Sequence, residues 1–227
     1  MSTLNVNVKL NPYNAAGNGT TDDRAAIQAA IDAVATAGGG CVYFPKGIYL
    51  IGAEPGGGAL GGLQLKSNVL LQGEAPRAAV LKLANGIDRT VLYGPSNVNS
   101  LWGSGSTAGL QNWSLYNIEI DGNSANNSTG NGIWIYGFKP VVENVFIGNV
   151  AENAWRTEWG DDAPLFAMEG SITNVAIDTC GKHGFWFNGP HEVTVQPCAF
   201  NSPHPNPLPQ PKSDISDFGR VDIAPLG

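Results

Sequence analysis

Only one stretch of this chain carries helical spacing, and it stands at the front. In "TTDDRAAIQAAIDAVATAGGG", residues 20–40, the residues Ala26, Ile27, Ala30, Ile31 and Val34 recur three and four apart. That spacing puts one apolar stripe on a helix and predicts a helix over about residues 22–37. Thr21 suits the N-cap, where a hydroxyl accepts from an orphan backbone N–H. Asp22 and Asp23 then fall in the first turn, at the positive end of the helix dipole. Gly38 suits a left-handed exit. On this reading the two aspartates start a helix and carry no chemistry.

Everything after the helix reads as short strands and turns, in weak repeats. "NIEIDGN" begins at Asn117, "NVFIGNV" at Asn144, "NVAIDTC" at Asn174 and "EVTVQPC" at Glu192, with gaps of 27, 30 and 18 residues. Each has apolar residues at alternate positions and then a turn. Between them lie "GIWIYG" from Gly132 and "GFWFNG" from Gly184, with earlier candidates "NVLLQGE" from Asn68 and "AAVLKLA" from Ala78. Several short strands per repeat, stacked coil on coil, describe a solenoid. Charged residues make up only 14% of the chain, against about 25% in an average domain. Together with 30 glycines, that suits an all-β chain with many turns. A β-sandwich would need hairpin signals at regular spacing and leaves the helix unexplained. Cys180 and Cys198 occupy the same place in their repeats, which would stack them on adjacent coils. "IDGN", Ile120–Asn123, reads as a coil turn with a stacking asparagine.

The segment "GNGTTDDRAAIQAAIDAVATAGGGCVYFPKGIYLI" resembles the N-terminal part of the pectate-lyase-like right-handed parallel β-helix proteins. That superfamily includes polygalacturonase-like hydrolases, polysaccharide lyases and epimerases, and phage tailspikes. The resemblance covers about residues 11–51 and rests on an order of features: Gly-x-Gly, Thr-x-Asp, an Ala/Ile helix, three glycines, a strand and Pro-x-Gly-x-Tyr. It implies an all-β fold, a right-handed parallel β-helix whose N-terminal end is capped by the α-helix. The division is then a cap segment with the first strands (1–51), coils (52–201) and a Pro-rich tail (202–227). Six prolines in the tail exclude it from central strands, and an extended or disordered tail is expected. The superfamily usually continues for more coils, so the chain reads as short or truncated.

Candidate chemistry gathers in "WRTEWGDDAPLF", residues 155–166, and "GKHGFWF", residues 181–187. Asp161 and Asp162 are adjacent, and His183 follows 21 residues after Asp162, about one coil. The pattern is similar to the Gly-Asp-Asp and Gly-His-Gly motifs of polygalacturonase-like enzymes. That resemblance implies Asp161, Asp162 and His183 as catalytic residues of an inverting hydrolysis. The family's Asn-Thr-Asp and Arg-x-Lys motifs are missing here, so the set is incomplete. The plainer reading makes Asp161–Asp162 a turn or helix start and His183 a backbone-bonded turn residue. A lyase would instead need a base beside a uronate carboxylate and a cation to neutralise it, for which Arg156, Lys182 and Asp161 are available. Alternation in the two strands turns Trp134 and Trp186 outward, away from Ile133, Ile135, Phe185 and Phe187. Trp155 and Trp159 are expected in the loop between. Exposed indoles pack well on sugar rings, so Trp134, Trp155, Arg156, Trp159 and Trp186 are the expected substrate contacts. Packing under a loop is the alternative.

No metal site is expected: three cysteines without ligand spacing argue against zinc or a disulfide framework. No cofactor is expected either, with Ca²⁺ on Asp121, Glu158, Asp161 and Asp178 as the lesser alternative. A net charge of −7 without a basic block argues against nucleic acid. No apolar run has the length of a membrane span or a signal peptide, so a cytoplasmic or phage-particle location is expected. The expected partner is a bacterial or plant polysaccharide, cleaved by a hydrolase or lyase in a groove along the solenoid. The alternatives are a carbohydrate-binding or adhesion module such as part of a phage tailspike, which would bring a homotrimer, and a truncated, catalytically silent β-helix.

Overall fold

The computed structural model describes residues 3–54, 61–94, 110–138, 140–158, 170–188, 193–195, 199–201 and 220–221. The chain winds in coils. A first, incomplete coil holds β1 (Leu4–Asn7) and β2 (Asn18–Asp22), and α1 (Arg24–Thr36) follows. The next coil is β3 (Gly40–Phe44), β4 (Gly47–Ile51) and β5 (Gly61–Gln64), and the one after it β6 (Val69–Gly73), β7 (Ala79–Leu83) and β8 (Thr90–Gly94). Then come β9 (Leu110–Gln111), β10 (Ser114–Tyr116), β11 (Ile118–Asp121) and β12 (Ile133–Phe138). In the following coils the first two strands merge, giving β13 (Val141–Val150) with β14 (Trp155–Glu158), and β15 (Gly170–Cys180) with β16 (Phe185–Asn188). The last rungs are β17 (Val193–Val195), β18 (Ala199–Asn201) and β19 (Arg220–Val221).

Pairing sorts these strands into three parallel faces. The first runs β1-β3-β6-β10, then the front halves of β13 and β15, then β17. The second runs β2-β4-β7-β11, then the rear halves of β13 and β15, then β18. The third runs β5-β8-β12-β14-β16. This is the right-handed parallel β-helix expected from the sequence. Among the described residues the one antiparallel pair is β16 with β19, which leaves no room for the sandwich alternative. It also returns two residues of the Pro-rich tail to the edge of the third face.

Each face stacks like on like. Val42, Leu71, Leu115, Val142 and Ile172 align on the first face, and Leu81, Ile120, Ile147 and Ile177 on the second. Leu92, Ile133, Trp155 and Phe185 align on the third. All of them are at most 2% exposed, each worth roughly 1.5–3 kcal/mol over an exposed position.

The helix is shorter than its apolar spacing suggests. It begins at Arg24, Asp23 occupies the N-cap position without a side-chain cap, and Thr21 lies in β2. The cause is competition from the solenoid. Pairing of Asp22 with Leu50 holds Thr21 and Asp22 extended. The Asp23 carboxylate accepts from the Ala16 and Gly17 amides at 2.6 and 2.9 Å. Asp22 Oδ1 accepts from the Arg24 and Gly52 amides, both at 3.0 Å. Both aspartates are fasteners. Ile27, Ala30, Ile31 and Val34 are fully buried, whereas Ala26 is only partly so.

The helix also closes an open sheet edge. Arg24 Nε donates to the Gly62 carbonyl at 2.8 Å. The Gln28 carboxamide accepts from the Gln64 amide at 2.8 Å and donates to the Gln64 carbonyl at 3.1 Å. Two side chains thus take the place of a preceding strand on β5. The exit needs glycine: a Cβ on Gly40 would lie 2.0 Å from the Leu4 carbonyl oxygen, and φ there is +146°.

The repeat of 18 residues does not survive. Val193–Val195 pairs with Gly170–Ile172, but Ala199–Asn201 pairs with Ala176–Asp178. The "EVTVQPC" segment therefore starts on the first face, and its alignment with "NVAIDTC" is out of register. Cys198 lies outside the described residues. Cys41 and Cys180 are free thiols, half-buried and buried respectively.

Candidate functional site

On the third face the outward-pointing residues form a column of consecutive rungs. In β12, Ile133 and Ile135 fill the interior and Trp134 faces out, half-buried. In β14, Trp155 and Thr157 face in and Arg156 out, and in β16 Phe185 faces in and Trp186 out. Register joins them in the order Gln64, Tyr93, Trp134, Arg156, Trp186. The Arg156 guanidinium carbon sits 4.5 Å from the Trp134 ring centre and 4.5 Å from that of Trp186. The His183 ring meets Trp186 edge-on, 5.7 Å between centres.

The N-terminal end of the column is closed. Tyr93 is 1% exposed, and its hydroxyl donates to Glu54 Oε2 at 2.8 Å. Glu54 in turn faces Arg24 at 3.6 Å. Burial, and then the Glu54 carboxylate, push the Tyr93 phenol far above its ordinary range, so it stays a neutral donor.

A second ladder runs along the corner that leads into this face. Asn131 bonds Thr90 Oγ1 at 3.3 Å, and Asn153 Nδ2 donates to Asn131 Oδ1 at 2.8 Å. The His183 amide then donates to Asn153 Oδ1 at 3.3 Å. His183 therefore stands where the two preceding coils carry asparagine. Beside it Lys182 Nζ pairs with Glu152 Oε1, and Glu152 also accepts from the Gly130 amide at 3.2 Å. The bond from Lys182 holds the Glu152 carboxyl below the usual glutamate range, with smaller help from Gly130 and Arg156 and against a partial desolvation.

Three expectations change. Trp155 is not in a loop: it lies in β14, 0% exposed, packed against Trp113 and Phe185 at 5.8 and 5.4 Å between ring centres. Strand pairing with Ile133 and Phe185 fixes its inward phase, so it belongs to the core and not to a substrate surface. A coil here spans 30 residues at His183. The 21-residue step from Asp162 is therefore not one coil, and the neighbour one coil before His183 is Asn153. Asp161, Asp162 and Trp159 lie outside the described residues. The outward direction of Trp134 and Trp186 is as alternation requires, but one ring face of each is already covered by Arg156.

The sequence reading passed over Tyr93, Glu54 and the asparagine corner. That corner was legible: "NGI", "NAW" and "HGF", at 131, 153 and 183, set the same position two residues before the inward residue of each strand.

On the second face Lys82 pairs with Asp121 at 3.1 Å, and Arg77 pairs with Glu119 at 2.9 Å while covering the Phe146 ring at 3.9 Å. Asp121 and Asp178, considered above for Ca²⁺, are two rungs apart with Gly148 between them. Among the described residues no three His, Cys, Asp or Glu side chains converge as a metal site, and no helix is long and apolar enough to cross a membrane.

The rhamnogalacturonase A/epimerase, pectate lyase-like family matches residues 5–207. The chain belongs to this family. It is 39% identical over 139 residues to mannuronan C5-epimerase AlgE4 of Azotobacter vinelandii, covering 60% of this chain and 23% of that protein. It is 38% identical over 125 residues to alginate lyase 7 of the same organism, covering 54% of this chain and 13% of that one. The chain thus spans less than a quarter of the length of these curated relatives. The solved AlgE4 A-module matches with a TM-score of 0.62 at 23% identity, over 86% of this chain and 57% of that one. A tailspike mutant of E. coli bacteriophage HK620 matches with a TM-score of 0.59 at 21% identity, over 88% of this chain and 36% of that one. Both share the pectate-lyase-like fold of this family member.

Proposed function

We propose that this protein is a polysaccharide-active β-helix that works on a polyuronate across the outward column of its third face. The observation that carries this reading is the column itself. Two half-buried indoles, a guanidinium and an imidazole adjoin on consecutive rungs. Mannuronan and alginate, in the names of the relatives, are uronate polymers.

The chemistry follows from such a polymer. The C5 proton lies next to a carboxylate, and removing it leaves charge that spreads onto that carboxylate. A cation held there lowers the barrier, as fixed charges do wherever negative charge develops. Return of a proton to the opposite face inverts C5. Loss of the C4 oxygen substituent instead leaves a C4–C5 double bond and a new reducing end. Arg156 supplies the cation, and the His183 imidazole, edge-on to Trp186, is the nearby side chain able to carry the proton. Hydrolysis by Asp161 and Asp162, with His183, is the competing mechanism; neither mechanism calls for a metal or cofactor in this reading. A second reading, a non-catalytic binding module, is favoured by the make-up of the column, whose described groups stack on one another. A homotrimer in sedimentation would strengthen it.

The test is incubation with mannuronan, alginate, polygalacturonate and a neutral glucan. Reducing ends, ultraviolet absorbance of unsaturated uronate, and C5 inversion by proton NMR are measured together. A lyase gives the first two signals, a hydrolase only the first, an epimerase only the third. Affinity without any of the three establishes the binder, and no affinity for any polymer sinks the whole reading.

A further inference from the structure

We infer that Trp134 and Trp186 are positioning residues that clamp Arg156 as the carboxylate-reading, specificity-determining residue of this face. The inference rests on the proposed function and adds to it a residue that separates acidic from neutral chains. Three consecutive rungs carry it. The guanidinium carbon is 4.5 Å from each indole centre, one on the rung before and one on the rung after.

A guanidinium is planar, with five N–H donors, all in its plane. When rings cover both faces, only the edge of that plane remains for acceptors, and the edge is the part that matches a two-oxygen acceptor. The clamp also removes most of the freedom of a long side chain before any ligand arrives, so less is lost on binding. Covering the faces strips weakly held water from the cation, which strengthens its pull on an anion. Five donors leave Arg156 able to serve a ligand alongside contacts within the protein. The partner that fits is a carboxylate carried by a sugar ring lying over the column, with the indole edges and the His183 ring beside it.

The column also departs from the repetition seen on other faces. Outward positions that only stabilise a rung are plain elsewhere, such as Ser114, Val141 and Ser171 on the first face. Here an aromatic, a cation and an aromatic alternate.

Isothermal titration of the full chain with a mannuronate oligosaccharide, and with the same oligosaccharide reduced at its carboxyl groups, tests this. The wild type is expected to favour the acid form by about 10- to 100-fold. Arg156→Gln should remove that preference. Arg156→Lys, which keeps the charge and loses the plane, should not restore it. Trp186→Leu should weaken the preference in the wild-type background and leave it unchanged in the Arg156→Gln background, a coupling that a merely structural tryptophan would not show. Thermal melts of each variant separate lost folding from lost recognition. Equal binding of both oligosaccharides by the wild type, or full preference in folded Arg156→Gln or Arg156→Lys, overturns the inference and leaves the proposed function standing. Binding of neither oligosaccharide overturns both.

Discussion

Two ladders cross the same coils of this solenoid and behave differently. At the corner between the first and second faces, Asn144 Nδ2 donates to Asn117 Oδ1 at 3.2 Å, and Asn174 Nδ2 to Asn144 Oδ1 at 2.7 Å. All three have left-handed φ near +50 to +57°, which asparagine tolerates and which turns the corner. On the third face the ladder is Trp134, Arg156, Trp186. The first repeats one residue type because each member bonds the next and nothing else is asked of it. The second breaks type at every rung, and a stack of unlike groups has a further use. Repetition in a coil marks what holds it together, and broken repetition marks where to look for chemistry. His183, which follows Asn131 and Asn153 in a third ladder, is such a break beside the column.

The largest effect should separate two tryptophans that alternation alone could not rank. Trp155→Ala removes a fully buried ring between Trp113 and Phe185 and should cost about 3–5 kcal/mol of stability. Trp134→Ala, half-buried and outside the core, should cost about 1 kcal/mol or less. Urea titrations of both variants give the comparison. Similar losses would mean that the third-face column is structural after all.

Next in size is the asparagine corner. Asn144→Ala loses both ladder bonds and forces a β-carbon into a left-handed position, together about 2–3 kcal/mol. Asn144→Gly keeps the backbone freedom and loses only the bonds, so it should cost about 1 kcal/mol. Binding of oligomannuronate by the folded fraction should not change in either variant. A loss of affinity equal to that of Arg156→Gln would erase the distinction between the two ladders.

How much of this was legible depended on the range of the physics involved. Strand alternation is local, so the outward phase of Trp134 and the inward phase of Ile133 could be read directly. The apolar stripe of the helix is local too, and Ile27, Ala30, Ile31 and Val34 lie where spacing puts them. Thr21 could not be placed, because its backbone conformation is decided by the pairing of Asp22 with Leu50 across one coil. Trp155 was misplaced for the same reason: its phase comes from register with Ile133 and Phe185, and coil length varies. The corner ladders step by 27 and 30 residues at one corner and by 22 at another, so no fixed period aligns His183 with its true neighbour Asn153. The clamp on Arg156 needed two registers at once, and no single-strand pattern contains it.

The smallest predicted effect concerns Glu152, which joins the two kinds of ladder. It ties Gly130 to Lys182 across the corner, and its charge lies within reach of Arg156. Its folded pKa is held below the ordinary value of 4.5, chiefly by Lys182. A lowered carboxyl pKa means that the unfolded chain takes up its proton first as pH falls. The stabilisation is therefore complete above about 4.5 and drains away as pH drops through the folded value. Lys182 is 48% exposed, so solvent screening keeps the total below about 1 kcal/mol. Glu152→Gln retains an acceptor for the Gly130 amide and removes only the charge. Its melting temperature should lie slightly below that of the wild type near neutral pH and converge with it in acid. It should also bind oligomannuronate slightly more tightly, because one anion beside the Arg156 cation is gone. A stability gap that stays constant with pH would assign Glu152 to packing alone, and a fall in affinity would mean that its negative charge helps Arg156 hold its place.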